Sequence, residues 1–304
     1  MSIVVFGSVF VDIKGYPSGL FVPDGRNAGT IEQMHGGVGR NVVEDIANCE
    51  LQPVFVSIVD RTGIGESVLS KLRRHKVNVE HCLKTDDGMG TWLAIFDNSG
   101  DVVANISQRP NMEPLCAVLD EHGDELIANA DSVVVEIDMG TELVKKVFAL
   151  AEKYEKDVYV VVSNMAIALK RRDLLKRSRC IICNQQEAGV LFSENYMELT
   201  PQQLQPIIAE KSRNAGYRSM VVTMGADGAV FAEAGGESGT VPANKVEVRD
   251  TTGAGDAFFS GVTIGLTYGK TLREACGIGT KLASSVIYSM ENVCPRFLPE
   301  ELGL

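Results

Sequence analysis

Asp250-Thr251-Thr252-Gly253-Ala254-Gly255-Asp256-Ala257-Phe258 leads from the extended segment KVEVRD into an apolar helix. Gly253 and Gly255 let backbone approach a ligand closely, and a helix start offers unpaired N–H groups at the positive end of its dipole. Such a site suits a phosphate. A carboxylate placed there repels that phosphate unless it has a task, and Asp256 has one available: taking the proton of a hydroxyl that attacks a phosphoryl group. The plainer reading of a lone Gly-Ala-Gly-Asp is a helix cap.

A second cluster, Gly36-Gly37-Val38-Gly39-Arg40-Asn41, opens the segment NVVEDIANCE. Its glycines permit backbone contact with a polar ligand, and Asn41 adds a side-chain donor and acceptor. Two other phosphate motifs fail. The only Gly-Lys-Thr, at 269–271, has Ile264 where a Walker A loop needs glycine, and Gly37/Gly39 and Gly253/Gly255 are followed by Val42 and Phe258 where a dinucleotide GxGxxG needs its third glycine.

These residues must be positioned by the elements around them. Strand-length apolar runs (SIVVFGSVF, PVFVSIVD, SVVVEID, DVYVVVS) alternate with amphipathic segments such as GESVLSKLRRHK and TELVKKVFALAEKYEK. Strands buried on both faces and separated by helices predict a doubly wound, mostly parallel α/β sheet. Residues 13–35 read as loop, and 88–107 as two strands around Asn-Ser-Gly. Together these stretches are expected to form a small β lid outside the main sheet, the other arrangement being an antiparallel edge on it. Further on, Thr200 caps a helix with Pro201 in its first position, and two long helices, about 256–268 and 272–289, close the chain.

Taken in order, GGVGRN and DTTGAGDAF resemble the paired signature of the ribokinase-like sugar and nucleoside kinases, the PfkB family, over essentially the whole chain. Asn184-Gln185-Gln186-Glu187 is similar to that family's Asn-x-x-Glu motif, and Thr223-Met224-Gly225-Ala226-Asp227-Gly228 to its nucleotide-side turn. The resemblance implies ATP-dependent phosphorylation of a hydroxyl and a discontinuous core of residues 1–9, 39–86 and 109–304 with a lid of 10–38 and 87–108. It implies substrate binding by Asp12, Gly37 and Asn41, and ATP binding by Asn184, Thr223, Gly225 and Gly228. Glu187 would meet Mg²⁺ through water, N–H groups of Gly253, Ala254 and Gly255 would form an anion hole, and Asp256 would be the base. Asp250 with nearby carbonyls would hold K⁺, and the lids of two copies would pair in a homodimer.

GGVGRN, the opening GSVFVDIKGYP and SMVVTMGADG are most similar to the pseudouridine kinase branch. Phe10, where an Asn is common, and Val161-Val162, where many relatives carry Asp-Pro, depart from the family pattern. A different outcome of those departures is a sugar- or nucleoside-binding relative without catalysis; another is a different sugar or nucleoside kinase.

Composition narrows the classes further. The 304 residues are 45% hydrophobic and 23% charged, ordinary for a globular protein, and a net charge of −11 gives nucleic acid no basic field to bind. The apolar N-terminus reaches Asp12 too soon for a membrane span and has no basic residue ahead of it, so a cytoplasmic protein is expected. Seven scattered cysteines fit reduced thiols, Cys180 and Cys183 read as part of a buried strand, and the four histidines have no metal-ligand spacing.

Overall fold

The structure is a computed structural model that describes residues 2–289 and 291–304. In chain order the strands are β1 (Ile3–Phe6), β2 (Phe10–Pro17), β3 (Gly29–Gly36), β4 (Val54–Asp60), β5 (Cys82–Thr85), β6 (Gly90–Phe96), β7 (Val102–Gln108), β8 (Ser132–Glu136), β9 (Val158–Val161), β10 (Ile181–Asn184), β11 (Ser219–Thr223), β12 (Ala229–Glu233) and β13 (Ser238–Val241). The helices are α1 (Val38–Asn48), α2 (Gly63–Arg74), α3 (Leu115–Ala128), α4 (Thr141–Lys153), α5 (Met165–Lys170), α6 (Arg172–Arg177), α7 (Gln185–Phe192), α8 (Pro201–Ala215), α9 (Ala254–Thr267) and α10 (Leu272–Tyr288).

The central sheet runs β5-β4-β1-β8-β9 and is parallel throughout. Alternation along β1 sends Ile3 and Val5 to one face and Val4 and Phe6 to the other, and two hydrophobic layers result. Val42, Val43 and Ile46 of α1, Val68, Leu69 and Leu72 of α2, and the apolar sides of α9 and α10 cover the first. Helices α3, α4 and α8 contribute to the second, with Leu119, Val147 and Leu204 among its buried residues. This is the mainly parallel, helix-flanked sheet that a βα alternation demands.

The sheet does not run unbroken through the second half of the chain, as one doubly wound sheet would. β10 pairs parallel with β11, but β11–β12 and β12–β13 are antiparallel, and this four-stranded sheet is separate from the first. Between β9 and β10 the Ser178 hydroxyl accepts from Val160 N–H at 3.3 Å, and Arg179 N–H donates to the Val158 carbonyl at 2.8 Å. Cys180 and Cys183 are buried at this strand, and both are free thiols.

Residues 13–35 are not loop. β2 and β3 pair antiparallel over eight residues each, from Phe10↔Gly36 to Pro17↔Gly29, and only 18–28 connect them. β6 joins β2 in parallel and β7 closes a third sheet of order β3-β2-β6-β7. The run SIVVFGSVF is likewise not one strand, because it breaks at Gly7, where β1 ends and the chain turns toward β2. A Cβ on Gly7 would lie 2.6 Å from the Cα of Gly39, so the two glycines allow strand and helix backbones to cross.

The Thr200 cap stands as read. Its hydroxyl accepts from Gln203 N–H at 3.4 Å, Gln203 Oε1 accepts from Thr200 N–H at 2.9 Å, and Pro201 begins α8.

Candidate active site

The apolar helix α9 starts two residues before Asp256. Gly253 caps α9 with φ of 82°, a left-handed conformation, and a Cβ there would fall 2.0 Å from the Asn292 carbonyl oxygen. Glycine is therefore required on two counts. Ala254 N–H donates to the Thr251 carbonyl at 3.2 Å, whereas Gly255 faces open space, with nothing within 4 Å of an added Cβ. Among the described residues the N–H groups of Gly253 and Gly255 have no partner, so they are the donors left for a ligand.

Asp256 lies in the first turn of α9, partly buried, and Asn41 Nδ2 donates to its Oδ2 at 2.6 Å. Burial pushes the Asp256 carboxyl up to about 7. The Asn41 hydrogen bond and the Arg40 guanidinium pull it down, and the Glu136 and Asp12 charges add to the rise. A carboxylate that titrates near neutrality is matched to taking a proton from a hydroxyl and releasing it afterwards.

The glycine cluster is built around two carboxylates. Gly36 packs on Asp12, whose carboxyl atoms would lie 2.3–2.4 Å from a Cβ at that position. Gly37, at φ 99°, caps α1, and Gly39 N–H donates to Glu136 Oε1 at 2.5 Å. Glu136 ends β8 and also accepts from Ser8 N–H at 2.9 Å and the Ser8 hydroxyl at 2.8 Å, so one buried carboxylate pins the turns after β1 and before α1. Burial raises its pKa and those hydrogen bonds oppose the rise. Asp12 is raised too, by burial, against the charges of Lys14 and Arg40.

Arg40 is buried with Glu44, at 2.9 Å, and donates to the carbonyls of Gly36 and His35; Lys71 reaches Glu44 from α2 at 2.9 Å. The buried Arg40 charge acts on both Asp12 and Asp256, pulling each carboxyl down. Phe10, at the start of β2, lies over Gly90, where a Cβ would meet its ring at 2.5 Å.

The second group sits on the other sheet. Asn184 ends β10 and Thr223 ends β11, directly in register on neighbouring parallel strands. Asn184 and Glu187 form a reciprocal cap on α7: Glu187 N–H donates to Asn184 Oδ1 and Asn184 N–H to Glu187 Oε2, each at 2.9 Å. Among the described residues one Glu187 oxygen has no hydrogen-bond partner, and burial raises that carboxyl. Gly225 (φ 57°) and Gly228 (φ 93°) bound the turn after β11. Among the described residues no hydrogen bond or ion pair joins this group to the one around Asp256, and no three His, Cys, Asp or Glu residues cluster to hold a metal. Asp250 Oδ1 accepts from Thr252 N–H at 2.8 Å, which orders the turn before α9.

Glu136 is the residue that motif spacing leaves out. Glu136 was detectable only as a carboxylate closing the apolar run VVV, and its partners lie 97 and 128 positions away. Asp138, two residues on, accepts from the Ser163 hydroxyl at 2.7 Å and pairs with Arg109.

Residues 1–292 match the pfkB family carbohydrate kinases, and the chain belongs to that family. It is 34% identical to guanosine-inosine kinase of Exiguobacterium acetylicum over 95% of each chain, and 26% identical to pseudouridine kinase of Escherichia coli over 93% of this chain and 90% of that one. Ribokinase of Arabidopsis thaliana, solved with ribose and ATP, shares the fold with a TM-score of 0.85 at 20% identity, covering 99% of this chain and 97% of the other. The chain is accordingly an ATP-dependent sugar or nucleoside kinase, a phosphotransferase with an alcohol group as acceptor. The relative named for guanosine and inosine stands nearer than the one named for pseudouridine, toward which the opening motifs pointed.

Proposed function

We propose that the protein transfers the γ-phosphoryl group of ATP to the primary hydroxyl of a ribonucleoside bearing an oxo base, with guanosine or inosine as the first substrates to expect. The observation that carries this is Asp256, held at a helix start with a near-neutral pKa by burial and by Asn41. The 34% identity to guanosine-inosine kinase supports the base. Pseudouridine is the second reading, supported by the relative at 26%.

In this scheme Asp12, Gly37 and Asn41 hold ribose hydroxyls, and Asp256 takes the proton of the attacking hydroxyl. Its oxygen bonds to the γ-phosphorus while the bond to the β-phosphate oxygen breaks, and ADP leaves. N–H groups of Gly253 and Gly255, with Ala254 beside them, face the charge that develops. Asn184, Thr223, Gly225 and Gly228 line the nucleotide.

Mg²⁺ keeps most of its water and takes few protein ligands beside phosphate. The free oxygen of Glu187 fits such a water-mediated contact, so the ion would arrive with ATP and neutralise phosphate charge. Asp250 and neighbouring carbonyls would take K⁺. Residues 10–38 and 87–108 act as the lid over a core of 1–9, 39–86 and 109–304, excluding water as a competing acceptor.

A homodimer through the outer faces of two lids is part of the same proposal. Ile31 and Ile106 are 76% and 70% exposed there, an unusual load of apolar surface for a free sheet. No helix among the described residues is long and apolar enough to cross a membrane, and a cytoplasmic location, where ATP and reduced thiols coexist, suits the reading.

ADP release measured with guanosine, inosine, pseudouridine, uridine, adenosine and ribose tests the assignment. Turnover confined to guanosine and inosine supports it. Turnover of ribose alone keeps the kinase and removes the nucleoside, and ligand binding without ADP would mark a non-catalytic relative.

A further inference from the structure

Asn292 lies in the segment after α10 and is buried, although Asn is ordinarily a surface residue. It touches two parts of the site that are far apart in sequence. Its Nδ2 donates to the His35 carbonyl at 3.1 Å, one residue before the Gly36 that ends β3. Its main chain packs on Gly253, the cap of α9: a Cβ on Gly253 would meet the Asn292 carbonyl oxygen, carbonyl carbon and Cα at 2.0, 2.7 and 3.0 Å. The segment is clamped to α1. Cys294 N–H donates to Asp45 Oδ1 at 2.7 Å, Asn48 Nδ2 donates to the Cys294 carbonyl at 2.6 Å, and Phe297 N–H donates to the Asn48 carbonyl at 2.8 Å. The His35 carbonyl accepts from Arg40 of α1 too, and Glu44 holds Arg40 at 2.9 Å. Helix α1 thus sets the place of Asp256 through Asn41, and that of Gly253 through the segment carrying Asn292.

We infer that Asn292 is a positioning residue: by joining the end of β3 to the backbone of Gly253, it fixes the N–H groups of the anion hole relative to the turn that receives the acceptor substrate. The inference rests on the anion-hole role proposed above for Gly253 and extends it to a residue outside the glycine motif. Glycine has no side chain to anchor it, so a neighbouring backbone must hold it in place. Bonds within the turn, from Thr252 to Asp250 and from Ala254 to Thr251, give it shape. Contact with Asn292 sets where it stands relative to β3. A donor aimed at developing charge is worth most when it is held rigidly at the right place, and small displacements cost rate rather than binding.

The test uses Asn292→Ala, which removes the donor, and Asn292→Asp, which keeps the shape and sets a carboxylate against the His35 carbonyl. Each is compared with the wild type in turnover of the substrate that the wild type uses fastest in the panel given above. Calorimetry then gives affinities for that substrate, for ADP, and for ADP with aluminium fluoride and substrate together, a mimic of the phosphoryl group in transfer. Both variants should lose ~10- to 100-fold in kcat and about the same factor in affinity for the mimic, while KM for either substrate and affinity for ADP stay within about 3-fold. A residue that only stabilises the fold would not single out the mimic. Wild-type kcat in both variants overturns the inference, and so does a loss spread equally over ADP, substrate and mimic. A wild type that binds the mimic no more tightly than ADP is a different failure, because it removes the anion hole and this inference falls with it.

Discussion

Asn41 and Asp256 meet at 2.6 Å across 215 positions of sequence, joining the first turn of α1 to the first turn of α9. The bond ties the glycine turn before α1 to the carboxylate at the start of α9, so in the proposed mechanism ribose binding and proton transfer would share one contact. Donation by Asn41 favours the charged carboxylate, and Arg40 acts in the same sense.

Removing that donor should raise the Asp256 pKa further. In Asn41→Ala the acidic limb of the kcat/KM profile should therefore move to higher pH, with activity at neutral pH reduced ~10-fold or more and partly regained in alkaline buffer. A profile with an unmoved limb would show that Asn41 does not set the ionisation of the base.

Asp256, Asp45 and Glu136 all have folded-state pKa values raised chiefly by burial. A carboxyl of this kind stabilises the fold below its unfolded pKa, near 4, and loses that contribution as pH rises through its folded value. Stability toward urea should fall between pH 5.5 and 8, by which point Asp256, at about 7, has ionised. Asp256→Asn should flatten this decline and melt higher than the wild type at pH 8, by about 2 °C or more. The comparison is read from thermal and urea unfolding at both pH values, and an equal slope in the two proteins would contradict it.

Glu136 accepts three hydrogen bonds from Ser8 and Gly39. Glutamine offers one carbonyl and turns an N–H toward donors, so Glu136→Gln should cost about 1–3 kcal/mol in unfolding free energy and raise KM for the nucleoside by loosening the α1 turn. Unchanged urea midpoints would mean that the turn holds without it.

The strands with continuous apolar runs and the helices with caps could be read directly, because burial on two faces and the Thr200 cap both leave a local pattern. β3 could not. It is exposed along most of its length, so TIEQMH carries polar residues where a half-buried strand would alternate, and its identity comes from pairing with β2. The Ser178 hydroxyl that accepts from Val160 N–H at the edge of β9 is a contact no periodicity encodes. In the site, Asp256, Asn41 and the glycines stand in recognisable order, while Glu136 draws its significance from burial and long-range partners.

The outer lid face offers a separate check. Ile31→Lys with Ile106→Lys places charges on exposed apolar positions without touching the core. Sedimentation should show the wild type as a dimer and the double variant as a monomer of 32.8 kDa. A monomeric wild type at micromolar concentration would remove the lid pairing.

Turnover of Asp256→Asn under saturating ATP, Mg²⁺ and nucleoside, with nucleoside affinity measured in parallel by calorimetry, addresses the role of the base itself. Loss of ~10²- to 10⁴-fold in kcat with affinity kept within a few-fold is the expected result. Wild-type turnover in the variant would contradict proton abstraction by Asp256, and the site would have to be read again from the helix start outward.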